Sequence, residues 1–424
     1  MSIAQQKAGM AASDRTLLII SQVYVPDPAS VGQHIADVAK EMARRGWRVV
    51  VYTSARGYDD PGQRYPRREF LDGVDVRRLP LSSFGKSSIA VRLLAQASFM
   101  VQAIARGVFT RGLGLVLVST SPPFAGFGGA MLAWIRRVPL VWWVMDLNPD
   151  QMVVAGKLSP HSVLTRLFDW MNRVTLRRSR AVVVLDRFMR ERVLAKLNVP
   201  DKVHVLPPWP HDDVLKPMPS RPNTFREENG FGDAFVVMYS GNHGIQNPLE
   251  TLLNTARFFE DRKDLLFVFI GGGAGKQQVD RRIAEGAPNV RSLPFQPLAR
   301  IGQSLSAADV HVVSLGNDAV GIIHPCKIYG AMAIGRPTLF FGPAESHVGD
   351  IFKTGDIGRI VAHGDVPASI AAILALQALS DDDRDKMGRR ATRLVSESFA
   401  SARLRNQFCD ILLAAGQPDM AKVQ

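Results

Sequence analysis

Two glycine-rich turns in the second half of the chain have the composition of a phosphate-binding loop. The first spans 240–244 and leads into a helix predicted near Pro248, and the second spans 271–276. Glycines let ligand oxygens approach the backbone, and N–H groups at a helix start donate to anions. The second turn is not a Walker A loop, since Ile270 stands where that motif needs its first glycine and Gln277 replaces its Ser or Thr. A plain tight turn remains the alternative for the first segment.

A lysine at the start of a third segment supplies positive charge. Lys327 begins a predicted short helix that ends near Gly335, soon after a strand predicted over 310–315. Such a lysine could neutralise a diphosphate. Because ligands lie outside the carboxyl ends of parallel strands, the three segments could converge on one site. A solvated surface lysine is the alternative interpretation.

In the first half, Asp146 ends an apolar strand predicted over 140–145. At the carboxyl edge of a sheet, its side chain could orient or deprotonate a substrate hydroxyl. An N-cap or an Asx turn explains this aspartate nearly as well. His34, His243 and His324 could assist by hydrogen bonding, and ordinary loop histidines are the alternative.

The elements that must position these residues alternate between short apolar runs and longer helical patterns. Continuous apolar runs are typical of parallel strands that are covered on both faces. The proline-rich stretch 206–222 can continue neither a helix nor a sheet, so we place a domain boundary near Pro210. The sequence therefore predicts an α/β protein with two doubly wound sheets in tandem. The predicted strands are 16–20, 48–53, 115–119, 140–145 and 181–185 before the boundary, and 235–240, 266–270, 310–315 and 338–341 after it.

The tail from Asp381 to about Ala415 has helical spacing and an acidic start at 381–383. Acidic side chains suit the positive end of a helix dipole. A metal site at these aspartates is the weaker alternative.

Composition limits the class of protein. The 424 residues are 46% hydrophobic and carry a formal charge of +13, which favours a folded protein with an anionic partner. The two cysteines, Cys326 and Cys409, have no metal-ligand spacing, and a reducing cytosol fits them best. The N-terminal residues lack the apolar core of a signal peptide, and no apolar run is long enough to span a membrane.

One segment suggests contact with a membrane surface. Residues 86–111 combine apolar positions at helical spacing with Lys86, Arg92, Arg106 and Arg111. A basic amphipathic helix of this kind could rest on the cytosolic leaflet of the inner membrane. A core helix with cationic ends is at least as good an interpretation.

Taken together, these segments resemble the nucleotide-sugar glycosyltransferases of the GT-B fold, specifically the family 4 branch that includes bacterial capsule, colanic-acid and O-antigen enzymes. The resemblance covers nearly the whole chain and rests on residues 21–53, 143–159, 238–244, 269–273 and 324–337. It implies two Rossmann-like domains that face a central cleft. These are an acceptor-binding domain over 1–210, a nucleotide-sugar-binding domain over 211–398, and a C-terminal helix and tail over 399–424 that crosses back to the first domain.

The resemblance also implies roles for particular residues. Lys327 matches the family's lysine beside the donor phosphates, and Gly241 matches the glycine after the first strand of the second domain. Asn242 replaces an arginine that is common there, and the family's paired glutamates are missing at Ile322 and Gly330. Glu345 is a candidate for a sugar-hydroxyl contact, with a surface carboxylate as the alternative. The predicted donor-binding residues are Gly241, Asn242, His243, Gly272, Gly273, His324, Pro325, Lys327, Ile328 and Glu345; the acceptor-side loop is Ser30, Val31 and Gly32; the catalytic residues are Asp146 and Lys327.

The implied reaction is attack by an acceptor hydroxyl on the anomeric carbon of a nucleotide-diphosphate sugar. Lys327 and loop amides would stabilise the charge that develops on the departing phosphates. We expect retention of configuration, no metal or other cofactor, and a polyprenyl-diphosphate-linked sugar or a glycan as acceptor, in bacterial envelope polysaccharide biosynthesis. Three alternatives stay open: a nucleotide-sugar 2-epimerase of the same fold, a basic nucleic-acid-binding protein, and a non-catalytic scaffold. We expect no nucleic acid as partner.

Overall fold

The computed structural model describes residues 15–27, 29–57, 62–82, 89–210 and 215–417. The chain divides into two compact units. The N-terminal unit comprises the residues up to Pro207 together with those from Ala402 onwards, and the C-terminal unit runs from Pro208 to Ser401.

The N-terminal unit is built on an eight-stranded sheet with the order β3-β4-β2-β1-β5-β6-β7-β8. All neighbouring strands are parallel except β3 and β4. The central strand β1 is buried along its whole length, and Leu17 pairs with Val49 on one side and Leu115 on the other. The strands are β1 (Thr16–Ile20), β2 (Arg48–Ser54), β3 (Arg68–Leu71), β4 (Val74–Leu79), β5 (Leu113–Val118), β6 (Leu140–Val144), β7 (Ala181–Val184) and β8 (Val203–Val205).

Helices connect the parallel strands of this unit. The first helix stops at Gly46, whose φ of 87° is the left-handed conformation that favours glycine at a helix end. The helices of the connections are α1 (Ser30–Arg44), α2 (Ile89–Val108), α3 (Ala125–Arg136), α4 (Asp150–Val154), α5 (Val163–Arg178) and α6 (Arg187–Lys196). Helix α2 covers the described part of the predicted amphipathic segment; residues 86–88 lie outside the described residues.

The C-terminal unit is built on a six-stranded, fully parallel sheet with the order β11-β10-β9-β12-β13-β14. The order reverses between β9 and β12, which is where ligands bind in open α/β sheets. Its strands are β9 (Phe235–Ser240), β10 (Leu265–Ile270), β11 (Val290–Leu293), β12 (Val310–Ser314), β13 (Thr338–Phe341) and β14 (Gly358–Val361). Its helices are α7 (Thr224–Glu228), α8 (Glu250–Phe258), α9 (Lys276–Ala284), α10 (Ile301–Ser306), α11 (Lys327–Ile334), α12 (His347–Thr354), α13 (Val366–Ala378) and α14 (Asp381–Ser398).

The tail forms two helices rather than one continuous segment. Helix α14 begins after its N-cap Ser380, with three aspartates in its first turn, and ends at Phe399, which packs 5.0 Å from the ring of Tyr329. The second helix, α15 (Ser401–Gly416), packs on the N-terminal unit through Phe408, whose ring centroid is 4.1 Å from that of Trp143. An ion pair of 2.6 Å between Arg45 and Asp410 supports the same contact.

Among the described residues, no helix combines the length and the apolar composition that are needed to cross a bilayer.

Candidate active site

Lys327 lies where three predicted segments of the C-terminal unit meet. Its Nζ donates hydrogen bonds of 2.8 Å to the Tyr239 hydroxyl and to the carbonyl oxygen of Asn242. The ammonium group also lies 4.6 Å from the centroid of the Tyr239 ring. Tyr239 ends the buried part of β9 and Lys327 starts α11, so the contact joins a strand end to a helix N-terminus.

The glycine at position 241 makes room for this lysine. Gly241 has a φ of 125°, and a Cβ atom there would lie 2.6 Å from Cε of Lys327. The backbone conformation favours glycine at this position, and any side chain there would have to displace the end of the lysine. The structure therefore brings Gly241, Asn242 and Lys327 together, as the sequence predicts.

The second glycine turn packs directly on the first. The His243 amide donates to the Gly272 carbonyl at 2.7 Å, and the Gly275 amide donates to the His243 carbonyl at 2.7 Å. A Cβ atom at Gly273 would lie 2.3 Å from Oδ1 of Asn242. Glycine is required here because the two turns touch backbone to backbone at the carboxyl ends of β9 and β10.

His243 is buried between the two turns and is 1% exposed. Its Nδ1 lies 3.3 Å from the Gly272 carbonyl, while its Nε2 has no hydrogen-bond partner among the described residues. Burial, together with the positive charges of Lys327 and Lys276, lowers the pKa of His243 to about 4. The imidazole is therefore neutral at pH 7 and adds no charge to the site.

Lys327 carries a positive charge that no described carboxylate compensates. Ion pairs within 4.0 Å join many lysines and arginines of the unit to acidic side chains, and Lys327 is in none of those that the structure describes. Burial lowers the pKa of Lys327 to about 8, and the side chain keeps part of its surface exposed. An accessible, uncompensated ammonium beside backbone amides of glycine turns is suited to a phosphate anion. The alternative of a solvated surface lysine does not describe this environment.

His324 belongs to a neighbouring hydrogen-bonded group. Its Nε2 lies 2.8 Å from the Tyr329 hydroxyl, which in turn lies 2.7 Å from Nε2 of His347. Pro325 and Ile328 are buried around the start of α11 and hold the helix that carries Lys327. The roles of His324, Pro325 and Ile328 in donor binding stay predictions.

Glu345 lies in the turn after β13. Its carboxylate pairs with Lys353 at 2.8 Å, and its side chain is 72% exposed. This is the environment of a surface carboxylate, and the role of Glu345 as a sugar contact stays a prediction.

In the N-terminal unit, the predicted acceptor-side residues lie at the carboxyl ends of β1 and β6. Ser30, Val31 and Gly32 form the first turn of α1. A Cβ atom at Gly32 would lie 3.1 Å from the backbone of Tyr24, so the helix start needs a small residue there. His34 contacts this turn, with Nδ1 2.7 Å from the Ser30 carbonyl.

Asp146 follows β6 and is partly buried. Its amide donates to the hydroxyl of Thr120 at 3.2 Å, which fixes the backbone at the strand end. The nearest helix, α4, is capped by Pro149, so Asp146 is not its N-cap. The catalytic role of Asp146 stays a prediction.

Sequence reasoning missed three side chains of the C-terminal site, namely Tyr239, Tyr329 and His347. Tyr239 lies within a strand that reads as uniformly apolar, and Tyr329 lies within an apolar helix. Polar hydroxyls in such buried segments were the available signal, because a buried tyrosine hydroxyl needs a hydrogen-bond partner.

Models of two protein families match the chain. Residues 30–209 match the glycosyl transferase 4-like domain, and residues 234–378 match the glycosyl transferases group 1 domain. Together they cover most of the chain. With its two Rossmann-like units, the protein has the GT-B fold. The chain belongs to the glycosyltransferases that combine these two domains, and it is a transferase enzyme.

Individual relatives of low sequence identity are also described as glycosyltransferases. The chain is 24% identical to the probable glycosyltransferase WbjE of Pseudomonas aeruginosa over 91% of this chain and 96% of WbjE. It is 24% identical to the putative colanic acid biosynthesis glycosyl transferase WcaI of Escherichia coli K12, over 80% of this chain and 86% of WcaI. Among solved structures, Anabaena HepE in complex with UDP-glucose is similar in fold, with a TM-score of 0.69, 16% identity, and coverage of 94% of this chain and 99% of HepE.

Proposed function

We propose that this glycosyltransferase takes its sugar from a nucleoside-diphosphate sugar whose diphosphate binds Lys327 and the glycine turns of the C-terminal unit. The observation that carries the proposal is the ammonium group of Lys327, which is held by Tyr239 and Asn242 and has no described carboxylate partner. A dianionic diphosphate supplies the missing negative charge. Gly241 and Gly273 let its oxygens approach the backbone amides.

The same residues would assist the reaction. As the bond between the anomeric carbon and the phosphate oxygen breaks, negative charge grows on the leaving diphosphate, and Lys327 stabilises that charge. The acceptor hydroxyl attacks the anomeric carbon, with Asp146 of the N-terminal unit as the candidate group that orients it. We propose that the anomeric configuration is retained, as the family resemblance implies.

We further propose that the acceptor is a polyprenyl-diphosphate-linked sugar or a glycan of a bacterial envelope polysaccharide, reached at the cytosolic face of the inner membrane. WcaI is a putative glycosyl transferase of colanic acid biosynthesis, and this supports the acceptor class. The UDP-glucose bound to HepE supports a uridine nucleotide as the first donor to test.

The experiment is a donor screen with the purified protein. UDP, GDP, ADP and dTDP sugars are incubated with polyprenyl-diphosphate-linked acceptors, and nucleoside diphosphate release and glycosylated lipid are measured together. We expect release and product in equal amounts with one nucleotide class, and a product whose anomeric proton shows the configuration of the donor. An epimerised nucleotide sugar without an acceptor product would instead identify a 2-epimerase, and no turnover of any donor would contradict the proposal.

A further inference from the structure

Two neighbouring helices of the N-terminal unit expose large apolar side chains. Trp134 of α3 is 63% exposed, and Trp170 of α5 is 52% exposed. The two helices contact each other, since the ring of Phe127 lies 5.4 Å from that of Trp170. Contiguous exposed apolar surface of this kind marks an interaction site. We call it the α3–α5 face, and its exposed side chains are Met131, Trp134, Ile135, Val163, Leu167 and Trp170.

The packing of α3 explains why its large residues point outwards. A Cβ atom at Gly128 would lie 2.3 Å from Cε of Met100 in α2, and one at Gly129 would lie 2.4 Å from Cγ1 of Val118 in β5. Helix α3 therefore turns its glycines towards the sheet and towards α2. Leu132 also packs inwards. The larger part of the bulky side chains of α3 is exposed to solvent, namely Met131, Trp134 and Ile135.

A basic cavity adjoins this face. It has a volume of about 820 Å³, and its basic lining residues are Arg15, Arg137, Arg178, Arg180 and Lys202. Trp134 also lines it, and the guanidinium group of Arg178 lies 5.8 Å from the centroid of the Trp134 ring. The arginine-lined cavity and the α3–α5 face are therefore one continuous surface.

The charge of this surface is positive and largely uncompensated. Among the described ion pairs, none joins Arg15, Arg137, Arg178 or Lys202 to a carboxylate. Residues 89–180 contain eleven Lys and Arg residues, three Asp and no Glu. The only acidic residue of α5, Asp169, pairs with Lys196 at 2.6 Å.

The cavity lies at the opposite edge of the sheet from the predicted acceptor loop. Its lining residues Gly114, Pro139, Arg180 and Lys202 stand at or just before the starts of β5 to β8. Substrates of open α/β sheets bind at the carboxyl ends of the strands. The cavity therefore serves a purpose other than holding the reacting groups. Helices α3 and α5 run from the carboxyl edge, near Asp146, to this amino edge.

We propose that the α3–α5 face and the arginine-lined cavity dock the N-terminal unit on an anionic lipid bilayer. Tryptophan prefers the boundary between headgroups and acyl chains, and arginine binds phosphate through paired hydrogen bonds. An apolar face beside a cationic cluster gives reversible binding to anionic membranes. A second copy of the chain would place arginines against arginines, which disfavours this face as a homodimer interface. The inference rests on the proposed function, because a lipid-linked acceptor would explain why the protein binds a membrane. The exposed tryptophans and the basic cavity that support it are separate from the donor site.

The test is co-sedimentation of the full-length protein with vesicles, without donor or acceptor. One set of vesicles contains phosphatidylcholine alone, and the other contains equal parts of phosphatidylcholine and phosphatidylglycerol. We expect the wild type to bind the anionic vesicles and the double variant Trp134→Ala/Trp170→Ala to lose most of this binding. Arg178→Gln and Lys202→Gln should each weaken binding to the anionic vesicles by about fivefold, because each removes one charge. The matched control is Phe70→Ala/Phe258→Ala, which removes two aromatic rings that are 72% and 65% exposed elsewhere.

Several results would overturn the proposal. One is partition that does not depend on phosphatidylglycerol, and another is an equal loss in the Phe70→Ala/Phe258→Ala control. Sedimentation velocity provides a further check, since a dimer that Trp134→Ala/Trp170→Ala dissociates would show that the face binds a second copy. Vesicle binding without nucleotide binding would contradict the proposed donor site and still support the docking surface. Failure of the proposed function and failure of the docking proposal are therefore distinguishable.

Discussion

The two units hold positive charge in different ways. In the C-terminal unit a single ammonium group, that of Lys327, is fixed by two hydrogen bonds and enclosed by glycine turns that leave no room for a side chain. In the N-terminal unit, five basic side chains line a cavity of about 820 Å³ next to exposed tryptophans. The first arrangement suits one anion in one position, as we propose for the donor diphosphate. The second suits several phosphates of a lipid surface at once.

The largest expected difference between the two regions is in how strongly salt weakens their binding of anions. Raising the ionic strength from about 0.01 M to about 0.15 M shortens the Debye length from about 30 Å to about 8 Å. Because several arginines each contribute about 1 kcal/mol near an anionic surface, we expect vesicle partition to fall by about 100-fold. Binding of a nucleoside diphosphate at the partly buried Lys327 should weaken by less than about tenfold, because buried pairs are screened less. Titrations of both ligands at the two salt concentrations measure this, and equal salt dependence would contradict the distinction.

A methyl group at position 241 should displace the side chain of Lys327 in the C-terminal unit. Gly241→Ala places a Cβ atom 2.6 Å from Cε of Lys327 and must displace that side chain. We expect about tenfold weaker binding of the nucleoside diphosphate, since a charge-assisted hydrogen bond is lost. Vesicle partition should not change.

The matched control for this substitution is Gly286→Ala. Gly286 also has a positive φ, of 90°, but no atom lies within 4 Å of the added Cβ. Gly286→Ala places a methyl group at a positive φ without obstructing the lysine, so calorimetry should find normal binding in this variant. Equal affinity losses in the two variants would show that strain, rather than the position of Lys327, causes the effect.

The pH dependence of binding should report the ammonium group itself. Burial lowers the pKa of free Lys327 to about 8, so the protein must take up a proton to bind a diphosphate above that pH. Proton uptake by Lys327 should therefore leave affinity nearly constant below about pH 7, lower it about twofold between pH 7 and pH 8, and lower it about a further fivefold between pH 8 and pH 9. In Lys327→Arg the guanidinium stays charged, and the curve should be flat over this range. The same fall in both proteins would assign the titration to another group.

The sequence predicts the fold well because buried parallel strands are continuous apolar runs. Strands β1 and β9 begin and end where the pattern places them. The antiparallel strand β3 is different, since its four residues alternate between exposed and half-buried positions and resemble a loop. The hairpin turn at Asp72 and Gly73, both with positive φ, was the available signal for it.

The site is predictable in part. The glycine turns and Lys327 stand out by composition, but the bond between Lys327 and Tyr239 joins residues that are 88 positions apart. Only the pairing of β9 with β12 and the position of α11 bring them together. Helix α3 shows a second limit, because its sequence is apolar almost throughout and does not indicate which side faces the sheet. The structure places Gly128 and Gly129 on the inner side and Trp134 outside.

The most direct test of the central claim is calorimetric binding of UDP, GDP, ADP and dTDP to the wild type and to Lys327→Ala. We expect selective binding of one nucleoside diphosphate and a loss of at least about tenfold in affinity in the variant, because removal of the ammonium leaves the diphosphate charge unpaired. Equal affinity in wild type and Lys327→Ala, or no binding of any nucleoside diphosphate, would contradict it.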